Sequence, residues 1–236
     1  MNDWLQVLRE SADLRRKFHE SIASLEPKVR RLARGGWTLP MWATPAQTAA
    51  IAKMVPLRSL DSFFVRLYSA PGSPQYLEMT QALESSPRLR PWRATLRDIL
   101  RAYEGGLYRL VIPAALAVFE GVYADTVDHL RRRGHPKTLA EQERKSAARG
   151  LESVVSASIS EFINQLYKNI DFGLRAPRRL NRNWVHHGRI APRRSRADAL
   201  RLLHAIHTVS SSRRPGRIEI ERMVRDPAVR AMLQSH

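Results

Sequence analysis

The segment Asn181-Arg182-Asn183-Trp184-Val185-His186-His187 gathers residue types that can break a phosphodiester. RNA is cut without a metal when a base takes the proton of a 2′-hydroxyl, the oxygen attacks the adjacent phosphorus, and a cation steadies the charge on the pentacoordinate phosphate. Histidine suits the first task because it titrates near neutrality; arginine suits the last because its fork matches phosphate oxygens. On an ideal helix Arg182 and His186 lie about 40° apart, and Asn183 and His187 repeat that relation one residue on. A single turn would offer two polar stripes to one phosphate.

The spacing alone does not single out this segment. Arg201 with His207, Arg179 with His186 and Arg230 with His236 satisfy similar arginine-to-histidine spacings, as a chain with 40 Lys and Arg and 8 His will do by composition. Arg182 differs in having Asn183 directly after it, a His187-Gly188 ending, and a long amphipathic segment before it. Here the chain resembles the HEPN superfamily of small α-helical proteins, many of them ribonucleases of toxin–antitoxin and anti-phage systems. The hallmark of that family is an arginine, a polar residue often Asn, and a histidine after four to six residues, which Arg182, Asn183 and His187 match. The likeness extends over about residues 92 to 212, through Phe119-Glu120-Gly121 and Leu180-Asn181-Arg182.

The resemblance implies that Arg182 and His187 form a catalytic pair, that Asn183 orients the phosphate or the histidine, and that two copies of the motif meet in a homodimer. His186 beside His187 leaves the identity of the base open, since helix geometry favours the first and family spacing the second. Many members of the family bind nucleotides or partners without cutting them. Around the motif, Arg178, Arg179, Arg189, Arg193 and Arg194, with Arg175 and Arg196 beyond them, would make a phosphate-gripping rim and Trp184 a stacking platform. The other reading of these arginines is a solvated basic face. Glu120, in an apolar stretch, needs a cationic partner, either the motif Arg or His or some other arginine. His204 and His207 stand three apart, but with no third ligand in evidence they read as core or surface histidines.

The elements that would position these residues read as helices throughout. Residues 3 to 33 carry helical apolar spacing that Gly35-Gly36 ends and Pro27 divides. Thr44-Pro45 and Ser73-Pro74 each pair an N-cap with an N1 proline. Pro91 opens a segment with Leu96, Ile99, Leu100 and Tyr103 on one face, broken at Gly105-Gly106. Residues 107 to 130 are almost wholly apolar and are expected to form the central core helix, followed by a basic turn, Arg131-Arg132-Arg133-Gly134-His135-Pro136. A long amphipathic helix is expected over 138 to 170, then a loop, a short helix over about 178 to 190, a helix from Ser195 to about Val209 with a Ser195–Asp198 capping box, and a last helix from about Arg217. No strand alternation appears, so the fold class is all-α. Residues 1–90 form an N-terminal helical region without an assignable motif, 91–212 the HEPN-like bundle, and 213–236 a C-terminal helix.

With 236 residues, 43% of them hydrophobic, the chain can build one large core or two small ones. The best apolar run, residues 110 to 124, is too short and too interrupted to span a membrane, and the N-terminus lacks a signal peptide's pattern. A cytoplasmic protein with no membrane partner is the expectation, consistent with the absence of cysteine. The net charge of +18 attracts polyanions, RNA first, although arginine richness is also a habit of GC-rich coding. The reading is a metal-independent endoribonuclease that needs no cofactor and leaves 2′,3′-cyclic phosphate ends, acting in defence against phage or in a toxin system with an antitoxin or other regulatory protein. The alternative is a non-catalytic helical module for RNA, a nucleotide or an acidic protein. A sequence-specific DNA-binding protein is disfavoured because the face presented after Ser195 is too apolar.

Overall fold

Capping residues set the helix boundaries. The computed structural model describes residues 24–70, 72–126, 151–193 and 195–211, together with Glu20 and Ile22. The helical stretches expected within 3–19, 138–150 and 217–236, the basic turn at 131–136, and Arg194 lie outside the described residues. Helix α1 (Glu26–Arg34) carries Pro27 in its first turn and closes with Trp37 N–H donating to the Leu32 carbonyl at 3.1 Å and Gly36 N–H to Ala33 at 2.8 Å. That pair of bonds is a Schellman ending. Helix α2 (Pro45–Met54) has the full capping box: Thr44 Oγ1 accepts from Gln47 N at 3.2 Å, and Gln47 Oε1 accepts from Thr44 N at 2.8 Å. After a 3₁₀ turn (Leu57–Ser59) come α3 (Leu60–Ser69) and α4 (Pro74–Ser85), whose N-cap Ser73 accepts from Tyr76 N at 3.1 Å.

A second 3₁₀ segment (Pro87–Trp92) leads into α5 (Arg93–Glu104), and Gly105-Gly106 turns the chain into α6 (Tyr108–Thr126). Then follow α7 (Leu151–Leu166), the single-turn α8 (Arg182–His186) and α9 (Arg196–Ser211). The described residues contain helices, turns and loops and no strand, an all-α fold. Helix α6 packs against α5 and α9, while α1 lies along α7.

Residues on both sides of position 90 share one hydrophobic core, which runs from Ile22 and Leu32 through Phe64 and Met79 to Phe119, Ile163 and Leu203. Its centre is not the helix that the sequence nominates. Helix α6 buries Val111, Ile112, Leu116, Phe119 and Val122 but leaves Leu110, and Leu107 just before the helix, at 64% and 54% exposure. Helix α9 is buried at every position from Asp198 to Ser210. Its polar side chains hide that role in the sequence, and each of several has found a partner. Arg201 donates Nη1 to Asp198 at 2.5 Å and Nη2 to Asp61, while Thr38 Oγ1 bridges His204 Nδ1 at 2.9 Å and Thr208 Oγ1 at 2.8 Å. Buried polar groups are tolerated once paired in this way.

Gly121 shows how tightly α6 meets its neighbours. A Cβ there would stand 2.3 Å from Trp92 Cζ2, so only glycine lets the indole lie against the helix one residue from Glu120.

Candidate functional site

Helix α8 is shorter than the helix expected over 178–190. Asn181 starts it by accepting from Trp184 N at 3.2 Å, and the same side chain donates Nδ2 to the Lys168 carbonyl at 2.8 Å, tying the turn to the end of α7. At the other end His187 N–H donates to Asn183 O at 3.1 Å, Gly188 N–H to Val185 O at 3.1 Å and Arg189 N–H to Trp184 O at 2.9 Å. Gly188 sits at φ +63°, where a side chain is disfavoured, so the His187-Gly188 pair is a Schellman stop that leaves both histidines at the surface.

The turn places Arg182 against α6. Its Nε donates to Glu120 Oε1 at 2.7 Å and its Nη2 reaches Glu120 Oε2 at 3.5 Å. Glu120 thus pairs with the motif arginine rather than with another. Tyr167, near the end of α7, donates its hydroxyl to the same Glu120 Oε1, and the Arg182 guanidinium lies 5.5 Å from the Tyr167 ring centroid. Three elements converge on one carboxylate. Burial works against the Arg182 charge, but the Glu120 bond and charge outweigh it and hold the proton more firmly than usual. Burial, reinforced by the Glu120 bond, keeps the Tyr167 phenol protonated. At 26% and 23% exposure, Arg182 and Glu120 sit at the rim of the core, within reach of solvent.

His186 belongs to this field. Its pKa is lowered, chiefly by partial burial and then by the Arg182 charge, with Glu120 opposing and His187 assisting. A neutral imidazole next to a fixed cation can accept a proton. His187 faces another group: its ring meets Phe172 edge-on at 5.8 Å between centroids. Asn183 is half-buried on α8 and gives its carbonyl to the His187 N–H.

Trp184 does not provide the expected stacking platform. It is 5% exposed, with Nε1 donating to Ile170 O at 3.3 Å, because its position on the one-turn helix faces the core. Phe172 is the aromatic ring at the surface here, 40% exposed, touching Trp184 edge-on at 5.4 Å and covered on one side by the Arg189 guanidinium 5.0 Å from its centroid. The sequence offered only a loop position for it. The arginine rim divides by what each side chain holds. Arg193 donates to the carbonyls of Arg178 at 2.7 Å and Pro177 at 2.8 Å, and Arg179 donates to that of Arg34, so these two pin the segment that leads into α8. Arg178 and Arg189 are exposed, Arg189 against Phe172. Arg196 lies apart, over the Tyr103 ring at 5.8 Å.

His204 and His207 are buried in α9, and the described residues contain no group of three His, Cys, Asp or Glu able to hold a metal. No described helix is long and apolar enough to cross a membrane. The chain matches no known protein family, no characterised protein and no solved structure.

Proposed function

We propose that the protein is a metal-independent endoribonuclease of the HEPN kind, with its chemistry centred on Arg182, Asn183, His186 and His187. The observation that carries this reading is the clamp of Glu120 on Arg182, which fixes a guanidinium on the same helical turn as a histidine kept neutral. Glu120 and Tyr167 occupy part of the arginine fork, and the remaining N–H donors are left for phosphate oxygens. In the reaction, neutral His186 takes the proton of the 2′-hydroxyl and the 2′-oxygen forms a bond to phosphorus. The bond from phosphorus to the 5′-oxygen then breaks, and that oxygen receives a proton from His187, leaving a 2′,3′-cyclic phosphate and a 5′-hydroxyl. Arg182 stabilises the phosphorane and Asn183 helps to orient it. Arg189 and Phe172 are the nearest groups to hold a flanking nucleotide, by charge and by stacking.

Incubating the protein with RNA in EDTA tests this. Cleavage should give cyclic phosphate ends and fall by about a hundredfold or more in Arg182→Ala and in His186→Ala. Undiminished cleavage in either variant overturns the assignment. A homodimer that brings two such turns together, and an acidic regulatory partner, belong to the same proposal; light scattering at working concentration tests the first.

One observation favours the alternative, a helical module that binds RNA or a nucleotide without cutting it. Glu120 already matches the charge of Arg182, which weakens its grip on a phosphate. Salt-sensitive RNA retention with no product would establish that reading.

A further inference from the structure

A cavity of about 350 Å³ opens between the end of α7, the approach to α8 and the face of α9. Glu120, Arg182, His186 and His187 take no part in its walls. Its floor is apolar, made chiefly by Phe162, Leu166 and Leu180, while Lys168, Arg178 and Arg179 stand at its exposed edge and no acidic residue among the described ones lines it. Arg201 closes the deep end. It is 6% exposed, and its two terminal nitrogens are spent on Asp198 and Asp61, so its net charge is offset from behind. Its Nε–H is different: it is buried and has no acceptor among the described residues.

Gly36 packs against this nitrogen at φ +90°, and a Cβ there would stand 2.8 Å from it, so only glycine fits against the arginine at this corner. Apolar floor and cationic edge describe one kind of occupant, since pockets of this size take drug-sized ligands through apolar walls and a few convergent polar groups.

We propose that this cavity is a binding site for a small amphipathic anion, an aromatic or aliphatic body bearing a carboxylate or a phosphate. The body lies on Phe162, Leu166 and Leu180, and the anionic group meets Lys168 and Arg178. The site stands independently of any RNA chemistry at Arg182. It adjoins Asn181, so its occupant also packs against the segment that starts α8.

Calorimetric titration of the full chain with naphthyl phosphate, naphthylacetate and the neutral naphthylacetamide tests the assignment. Naphthylacetate should bind at least about tenfold more tightly than its amide, and Lys168→Ala with Arg178→Ala should remove about that preference. Leu180→Trp, which fills the cavity from its half-exposed wall, should abolish binding while the circular dichroism spectrum is retained. Tighter binding of the phosphate or of the carboxylate identifies which anion the site prefers, and either supports it. Equal binding of acid and amide, no binding of either anion at millimolar concentration, or full binding in a folded Leu180→Trp protein overturns the proposal. Should Leu180→Trp fail to fold, the Lys168 and Arg178 double variant decides: loss of the anion preference supports the site and its survival overturns it.

Discussion

Glu120 accepts from both Arg182 and Tyr167, and removing its charge should be felt in two separate measurements. Glu120→Gln leaves a partly buried guanidinium without its counter-charge, so urea denaturation should show a loss of about 1–3 kcal/mol. The second readout is His186. Its pKa is depressed by burial and by Arg182 while Glu120 opposes, so removing the carboxylate charge should lower it further and Arg182→Gln should raise it. Nuclear magnetic resonance titration of the imidazole resonances reads both shifts, and shifts of the same sign in the two variants would contradict this electrostatic arrangement. In any pH profile of RNA cleavage the acidic limb, set by the base, should fall below the pH at which a free histidine titrates, at about 6.5.

At this scale the sequence made the residue types legible but not their directions. Arg182, His186 and Glu120 could be chosen from chemistry, and a helix, though one drawn too long over 178–190, could be placed through the first two. Whether Trp184 or Phe172 meets solvent depends on which side of that turn the core lies, and sequence spacing within five residues does not record it.

Helix endings position the site more than helix interiors do. Gly188 holds the positive φ that lets Arg189 and Gly188 close back on Trp184 and Val185. Gly188→Ala should destabilise by about 1 kcal/mol or more, because alanine resists that conformation. It should also disturb the resonances of His187 and Phe172 before those of α9. Gly121→Ala tests the opposite device, a close approach, since its methyl would meet Trp92. A stability loss of about 1–3 kcal/mol, relieved by Trp92→Phe or a smaller residue, is expected from overpacking. The caps at Thr44 and Ser73 and the stops at Gly35-Gly36 and Gly105-Gly106 were legible because they are short-range rules. The Ser195–Asp198 cap is only half made, with Asp198 N donating to Ser195 Oγ at 3.1 Å while the Asp198 carboxylate turns to Arg201. There the need of a buried arginine one turn further on for a counter-charge outweighs the second half of the cap. Distance in the chain misdirects the choice of central helix: apolarity marks α6, yet α9 is enclosed, with His204 Nδ1, Thr208 and one Arg201 nitrogen answered by Thr38 and Asp61, residues far away in the chain.

The whole molecule depends on that enclosure. Burial lowers the pKa of His204 to about 3 and that of His207 to about 4, so both are neutral in the folded protein near neutrality. Above about pH 6.5 the unfolded chain also leaves them neutral, and they add no pH dependence. Below it the unfolded chain binds protons that the fold refuses, so stability should fall as pH falls, by up to about 2.7 kcal/mol per pH unit for the pair. The urea midpoint measured from about pH 7 to about pH 5 should show this, and His207→Gln should flatten it by about half. A midpoint that rises on acidification would contradict it.

The core shared across position 90 carries its own expectation: a fragment starting at residue 91 would strip Thr38 from His204 and Thr208 and Asp61 from Arg201, and should lack cooperative thermal unfolding. The bridge from Thr38 to His204 and Thr208 spans 166 and 170 residues, and Leu39 N donates to Ser158 Oγ across 119. Bonds between such distant residues must wait for the chain to close, so they are among the last to form and the first to let go. Thr38→Val should therefore leave the refolding rate almost untouched and quicken unfolding, making this hydroxyl a determinant of how long the native state lasts.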